Sequence, residues 1–416
     1  MKKVASLKKK CTFVLNVNIS NFMKSFLHFL LFIPFFAMAQ FTTNYDLFIQ
    51  NDLNDWIPAR MSLEEVNKEI ILTIINAEEN IRLKPSKITE DTTFYHFIDY
   101  NAEIAFTKAV DGTLTGYWIN FESEPVKKRL IKADKSQEKV DEGRIRSANL
   151  NGNWKTTITR STSESEAIII FRQDKNKLYA TIRTKAGDYR YLEGVINGVN
   201  FYLSSFSGNS VYYLQGKVDG SRIKGRLTGL KTNDILIDAV KDDNFELPDS
   251  KSLTKVVNDE PFNLDLKDEL GHVQDFQKLT KNKVTIVSIF GTWCPNCVDE
   301  ANYFNELQKK FPAVEIICVA FEATDVESEQ QKRVQGFKKR KDSQLQFLIG
   351  GKASSEAVLQ AFPMIDKLSG YPTSFLVDKD GLIQEVYTGF NGPATGVYYD
   401  LFKEELEGKI RMLLND

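Results

Sequence analysis

The sequence predicts two architectures in one chain: an α/β fold at the C-terminus, preceded by a mainly antiparallel β barrel or sandwich region. Three observations predict this. From about Asn44 to Val240, short alternations of polar and apolar residues are separated by turn residues, the period-two signature of half-buried strands. Between Asp242 and Pro261 the chain turns polar and acidic. Beyond it a continuous apolar run is followed by a helical segment, a second strand and a second helix, the order expected of a central sheet with helices packed on it.

At 416 residues and 42% hydrophobic content, the chain is too long for one core and carries enough apolar material for two or three domains. Its 54 basic and 56 acidic residues are interspersed, with a net charge of −2, and nothing in that pattern suggests a nucleic-acid footprint. Phe26 to Phe36 (FLHFLLFIPFF) forms a short apolar run after Lys24, and Ala37-Met38-Ala39 follows it. This reads as a secretory signal cleaved before Gln40. The run is shorter than the roughly 20 residues that span a bilayer and contains His28 and Pro34; an uncleaved anchor is the alternative. Met23-Lys24-Ser25 would open a compact signal, so Met23 is the expected start of translation. No cysteine follows the run at a lipoprotein cleavage position. The expected location is therefore the periplasm or cell envelope. Six lysines and no acids lie before Gln40, so cleavage leaves 48 basic against 56 acidic residues, a net −8. Three of the four cysteines then remain, Cys294, Cys297 and Cys318, too few for a disulfide framework. The predicted organisation is a signal over 1–39, a β-rich region over 40–241 built as one unit or two, a linker over 242–257, and an α/β domain over 258–416.

In the β region the expected strands include Glu69 to Ile75, Ala102 to Phe106, Thr113 to Phe121, Ala167 to Phe171, Lys177 to Ile182, Val199 to Leu203 and Arg222 to Leu227. Asp111-Gly112, Asn197-Gly198 and Asp219-Gly220 supply the positive-φ residues that tight hairpins need. A Val-Asp-Gly followed by a second glycine occurs at Val110 to Gly116 and again at Val218 to Gly225. It fits two similar halves and equally two ordinary hairpins. The charged stretch Lys127 to Arg146 breaks the alternation and reads as a linker between two β units or a short surface helix. In the C-terminal region strands are expected over Val284 to Phe290 and Val314 to Phe321, and helices over Pro295 to Phe311 and Val326 to Arg340. A hairpin turns at Asp378-Lys379-Asp380-Gly381, and a helix over Tyr398 to Leu414 closes the fold.

Trp293-Cys294-Pro295-Asn296-Cys297 lies between the buried strand and the first of these helices, a context that gives a Cys-x-x-Cys pair a redox reading. With Cys294 as helix cap, the Cys297 amide can donate to its sulfur and the helix N-terminus stabilises a thiolate. Pro295 fits the first helical position, where a missing N–H costs nothing. Cys297, less exposed, would resolve the mixed disulfide. A zinc knuckle needs about four ligands, and beyond the cysteines the predicted mature chain offers His96 and His272, so no metal is expected. FGTWC also lacks the threonine and proline pattern of a peroxidase. Glu300 shares a helical stripe with Phe304, Leu307 and Phe311. It is a candidate general base whose burial would raise its pKa, or an acid that favours the helix start. Cys318 sits in a buried strand as a small core residue. Trp293 either shields the disulfide and contacts partners or simply packs.

On these motifs, together with the entry segment Pro261 to Asp275 and Gly370-Tyr371-Pro372-Thr373-Ser374-Phe375-Leu376-Val377-Asp378, residues 258–414 resemble the TlpA/ResA-like branch of the thioredoxin superfamily. The resemblance implies a thioredoxin fold with a redox-active Cys294–Cys297 disulfide, a cis Pro372 beside it, and Tyr371 pairing its backbone to the substrate. Glu300 matches the active-site glutamate of that branch, and Ser288 stands where ordinary thioredoxins carry a buried aspartate. It implies an exported thiol:disulfide oxidoreductase without a diffusible cofactor, reducing selected protein disulfides with electrons from a membrane-bound thiol donor. An oxidase or isomerase of the same fold is left open, as is a binding protein whose β region captures a ligand or cell-envelope partner. The β region carries no carboxylate pair, metal cluster or glycine-rich loop that would assign it a chemistry.

Overall fold

Alternation of buried and exposed side chains along the first half builds two antiparallel sheets, each closed on itself. The computed structural model describes residues 42–123, 125–137, 147–232, 235–258 and 260–415; the predicted leader lies outside them. The first sheet runs through β1 (Thr42–Gln50), β2 (Trp56–Val66), β3 (Glu69–Asn76), β4 (Glu79–Leu83), β5 (Pro85–Ile88), β6 (Thr92–His96), β7 (Ala102–Lys108), β8 (Leu114–Asn120) and β9 (Lys127–Lys135). Each strand pairs with its successor except at β4 and β5, and β9 returns to pair with β1. β4 and β5 are one run of chain broken at Lys84, with β4 on β3 and β5 on β6. Pro85, lacking an N–H, cannot continue the first ladder. Counting that broken run once, the described residues form an eight-stranded barrel. Its interior is filled by every second residue of its strands, among them Leu47, Ile49, Met61, Leu72, Ile104, Trp118 and Ile131.

The second sheet comprises β10 (Gly152–Arg160), β11 (Ser163–Asp174), β12 (Lys177–Thr184), β13 (Gly187–Asp188), β14 (Leu192–Asn197), β15 (Asn200–Phe206), β16 (Val211–Asp219), β17 (Arg222–Thr228) and β18 (Ile235–Lys241). β18 pairs with β10 and β11 with β12, so a second eight-stranded ring closes, with the two-residue β13 as an appendage of β12. The recurring Val-Asp-Gly turn joins β7 to β8 and β16 to β17, the sixth and seventh strands of their barrels. The later glycine answers the same close approach in both. A Cβ at Gly116 would lie 1.8 Å from the Ala105 carbonyl oxygen, and one at Gly225 would lie 2.7 Å from that of Gln215.

The stretch expected to be a linker or helix from Lys127 is strand β9 as far as Lys135; residues 138–146 fall outside the described part. Arg129, Ile131 and Ala133 point inward while Leu130 faces solvent. The inward arginine pairs with Asp52 at 3.1 Å and disguises the alternation.

The β15–β16 turn plugs one end of the first barrel. Phe206 stands edge-on to Trp118 and Phe97, with ring centres 5.2 and 5.6 Å away. The Asn76 side chain bonds both backbone groups of Phe206, and Trp118 Nε1 donates to the Gly208 carbonyl at 3.1 Å. Trp118→Ala is therefore expected to cost about 3–5 kcal/mol, measured as a lower urea midpoint with unchanged slope.

The C-terminal region holds β19 (Asp265–Asp268), β20 (Val273–Asp275), α1 (Phe276–Thr280), β21 (Thr285–Phe290), α2 (Pro295–Lys310), β22 (Glu315–Glu322), α3 (Glu327–Lys341), β23 (Gln346–Lys352), α4 (Ser355–Ala361), β24 (Thr373–Val377), β25 (Ile383–Thr388) and α5 (Val397–Asn415). The sheet order is β20-β19-β23-β22-β21-β24-β25, with β21, β22 and β23 parallel and β24 and β25 antiparallel to their neighbours. α2, α3 and α5 cover one face through Phe304, Phe337 and Leu406; α1, α4 and the Phe262 segment cover the other. This is the thioredoxin-like arrangement the sequence implies. Residues 253–256 run along it: Ser369 Oγ donates to the Leu253 carbonyl, Thr254 bonds Thr388, and Val256 bridges to Ile365. Among the described residues no helix is long and apolar enough to cross a membrane.

Candidate active site

The end of β21 delivers the chain directly into α2, and every residue of the connection is fixed. Thr292 donates its amide and its hydroxyl to the two carboxylate oxygens of Glu322, at 3.0 and 2.7 Å. Trp293 Nε1 donates to the Phe321 carbonyl at 2.9 Å. Cys294 then caps α2 in an extended conformation, Pro295 takes the first turn, and the Cys297 amide donates to Cys294 Sγ at 3.3 Å. Cys294 and Cys297 form a disulfide, with Cα atoms 5.2 Å apart. Cys294 is 4% exposed and Cys297 fully buried. Once the disulfide opens, that amide and the aligned peptide dipoles of α2 stabilise negative charge on Cys294 sulfur. The Tyr371–Pro372 bond is cis, and the Tyr371 ring meets Trp293 edge-on at 5.2 Å.

One turn beyond Cys297 on α2, Glu300 is sealed in the interior. Ser288 Oγ on β21 and Ser374 Oγ on β24 donate to its two oxygens at 2.6 and 2.7 Å. Burial pushes its pKa up to about 7, against the opposing pull of those hydroxyls. A carboxyl poised there can hold or release a proton at neutral pH. Ser288 was singled out by sequence, and the structure gives it a partner. Cys318 is a free, buried thiol whose pKa is raised well above normal by burial and then by Glu300, which leaves it an unreactive core residue. Among the described residues no cluster of three or more His, Cys, Asp and Glu side chains is placed to hold a metal ion.

Sequence reading missed the groups that the barrels bring to this site. Arg190, in the β13–β14 turn, reaches between both barrels and α2. Its guanidinium donates to Tyr100 Oη at 2.7 Å, pairs with Glu79, and lies 3.2 Å from Asp299, the residue between Val298 and Glu300. Burial raises Asp299 to about 7 despite Arg190. Gly187 rests on Asn296: a Cβ there would lie 2.0 Å from Asn296 Nδ2. In the plug, Asn209 Nδ2 donates to the Trp293 carbonyl at 2.9 Å. These positions are 84 or more residues from the cysteine motif, and no spacing rule connects them to it.

Comparison with known proteins agrees with the geometry. The Redoxin family model matches residues 244–401. The thiol-disulfide oxidoreductase ResA of Bacillus thuringiensis is 34% identical over 29% of this chain and 62% of its own length, so the chain spans under two thirds of that relative. The thiol:disulfide interchange protein DsbE of Escherichia coli is 24% identical over 36% of this chain and 75% of its own. The solved structure of StoA from Bacillus subtilis aligns with 22% identity and a TM-score of 0.25 over 34% of this chain and 99% of that one. The C-terminal region thus carries a Redoxin domain and is similar to relatives of ResA and DsbE type.

Proposed function

We propose that this chain, with its Redoxin domain over 244–401, is a thiol:disulfide oxidoreductase working outside the cytoplasm after removal of residues 1–39. The carrying observation is a disulfide at the capped N-terminus of α2, one helical turn from a buried carboxyl of pKa about 7. In this reading the Cys294 thiolate attacks a substrate disulfide, its outer sulfur leaves as thiol, and Cys297 attacks the mixed disulfide to release the second. Glu300 accepts the Cys297 proton as that thiol becomes a nucleophile. Trp293, Tyr371 and Pro372 form the substrate-facing rim. The direction is reductive, with protein disulfides as substrates and a membrane-bound thiol as electron donor.

Equilibration of the pair with glutathione or dithiothreitol tests this. A potential near the thioredoxin value of about −270 mV supports a reductase, and one near about −120 mV replaces it with an oxidase. A pair that never cycles sinks the exchanger reading. Cys294→Ser is expected to abolish exchange, whereas Cys297→Ser accumulates one mixed disulfide per chain, visible as a mass increase that dithiothreitol removes.

A further inference from the structure

The redox disulfide does not face open solvent. A cavity of about 330 Å³ lies over Cys294, Pro295 and Asn296, and its opposite wall belongs mainly to the second barrel. Two segments of the second barrel make most of that wall, with Asn76 and Glu79 of the first barrel beside them. Thr184 to Tyr191 sits on the rim, with Gly187 at φ +128° against Asn296 and the Ala186 Cβ 3.1 Å from where a Gly370 Cβ would stand. Ser205 to Tyr212 follows, with Tyr212 packed on Tyr189 at 4.9 Å. Asn209 pins the second segment to the Trp293 carbonyl.

Two polar atoms at this cavity are unsatisfied. Asn296 Oδ1 and Tyr371 Oη are shielded from solvent and have no hydrogen-bond partner within the protein, and both residues line the cavity. Buried polar groups are normally paired, and a ligand in the cavity could pair these two by donating to the Asn296 amide oxygen and by donating to, or accepting from, the Tyr371 hydroxyl. The volume is that of a small-molecule site, and with Cys294 only 4% exposed a folded protein surface cannot reach its sulfur while the wall is in place.

We infer that the second barrel supplies half of the substrate site, and that the site takes low-molecular-weight disulfides whose arms carry N–H donors. This rests on the exchanger reading and puts small disulfides in place of protein disulfides as the preferred substrate. The reduced protein's Cys294 thiolate bonds to one sulfur of the small disulfide, whose other sulfur departs as thiolate and takes up a proton. Cys297 then displaces the first arm as a second thiol. Two electrons have passed from the protein dithiol to the substrate, and an external dithiol restores the protein.

The test uses the full chain with dithiothreitol as dithiol donor and compares cystamine with insulin, each rate divided by that of dithiothreitol alone. The acceleration for cystamine is expected to exceed that for insulin by about 10- to 1,000-fold, because a protein substrate can react only in a minor, wall-open state. Tyr189→Ala, which thins the wall at a half-buried position, is expected to narrow this gap. Asn296→Ala is expected to raise KM for cystamine about fivefold, the loss of one hydrogen bond, with little change in kcat. Equal or greater acceleration for insulin overturns the inference while leaving the exchanger intact, as does a gap that neither variant alters. A disulfide that dithiothreitol cannot reduce overturns the exchanger reading itself.

Discussion

Arg190→Met is expected to lower unfolding free energy by about 3–5 kcal/mol, the cost of leaving buried partners of a removed charge uncompensated. Burial works against the guanidinium's charge, but Asp299, Tyr100, Glu79 and Asp99 outweigh it and hold its pKa well above normal. Without it, Glu79 from the first barrel and Asp299 from α2 face one another with no cation between them. The loss should be larger at pH 8 than at pH 5. Asp299 already has a pKa of about 7, and protonation at pH 5 removes one of the stranded charges. Urea unfolding at both pH values reads the difference, and an equal cost at each would locate the effect in lost packing instead.

Glu300→Gln is expected to lower the exchange rate by about 100-fold at pH 7, the scale of a lost proton-transfer group, and to erase a rate inflection near that pH. It should also change stability in a defined direction. The folded protein keeps the Glu300 proton up to about pH 7, whereas the ordinary value is 4.5. Between these limits the folded state binds more protons than the unfolded one, so stability falls as pH rises through the window. The full loss is about 3 kcal/mol. Glutamine retains the shape and hydrogen-bonding capacity toward Ser288 and Ser374 without ionising. The variant should therefore match the wild type at pH 4 and exceed it at pH 8. If Glu300 served only to favour the helix start, neither the inflection nor this gain at pH 8 would appear.

The C-terminal fold was legible because its determinants are local. A strand buried at every position, a capping cysteine, a proline in the first turn and a second cysteine all stand between Thr285 and Cys297, and Glu300 declares itself by its place on an apolar stripe. β23 and α4 went unread; in the sheet, Gly350 makes room for the Phe321 ring, whose Cζ would lie 2.5 Å from a Cβ there. In the β region individual strands and turns were readable from alternation, but closure was not. It depends on β9 meeting β1 and β18 meeting β10, pairings of distant segments that leave no mark on either. Arg190 was illegible for a related reason: its partners come from a hairpin, a loop and a helix, and only the folded chain assembles them.

The plug at the end of the first barrel also sets a timetable. β9 completes that barrel's ladder, but Phe206, which caps its core, lies about 70 residues later in the chain. Until that residue arrives, the edges of Trp118 and Phe97 have no cover. The first barrel can close its ladder alone, but its core is complete only once the β15–β16 turn of the second barrel has docked on it.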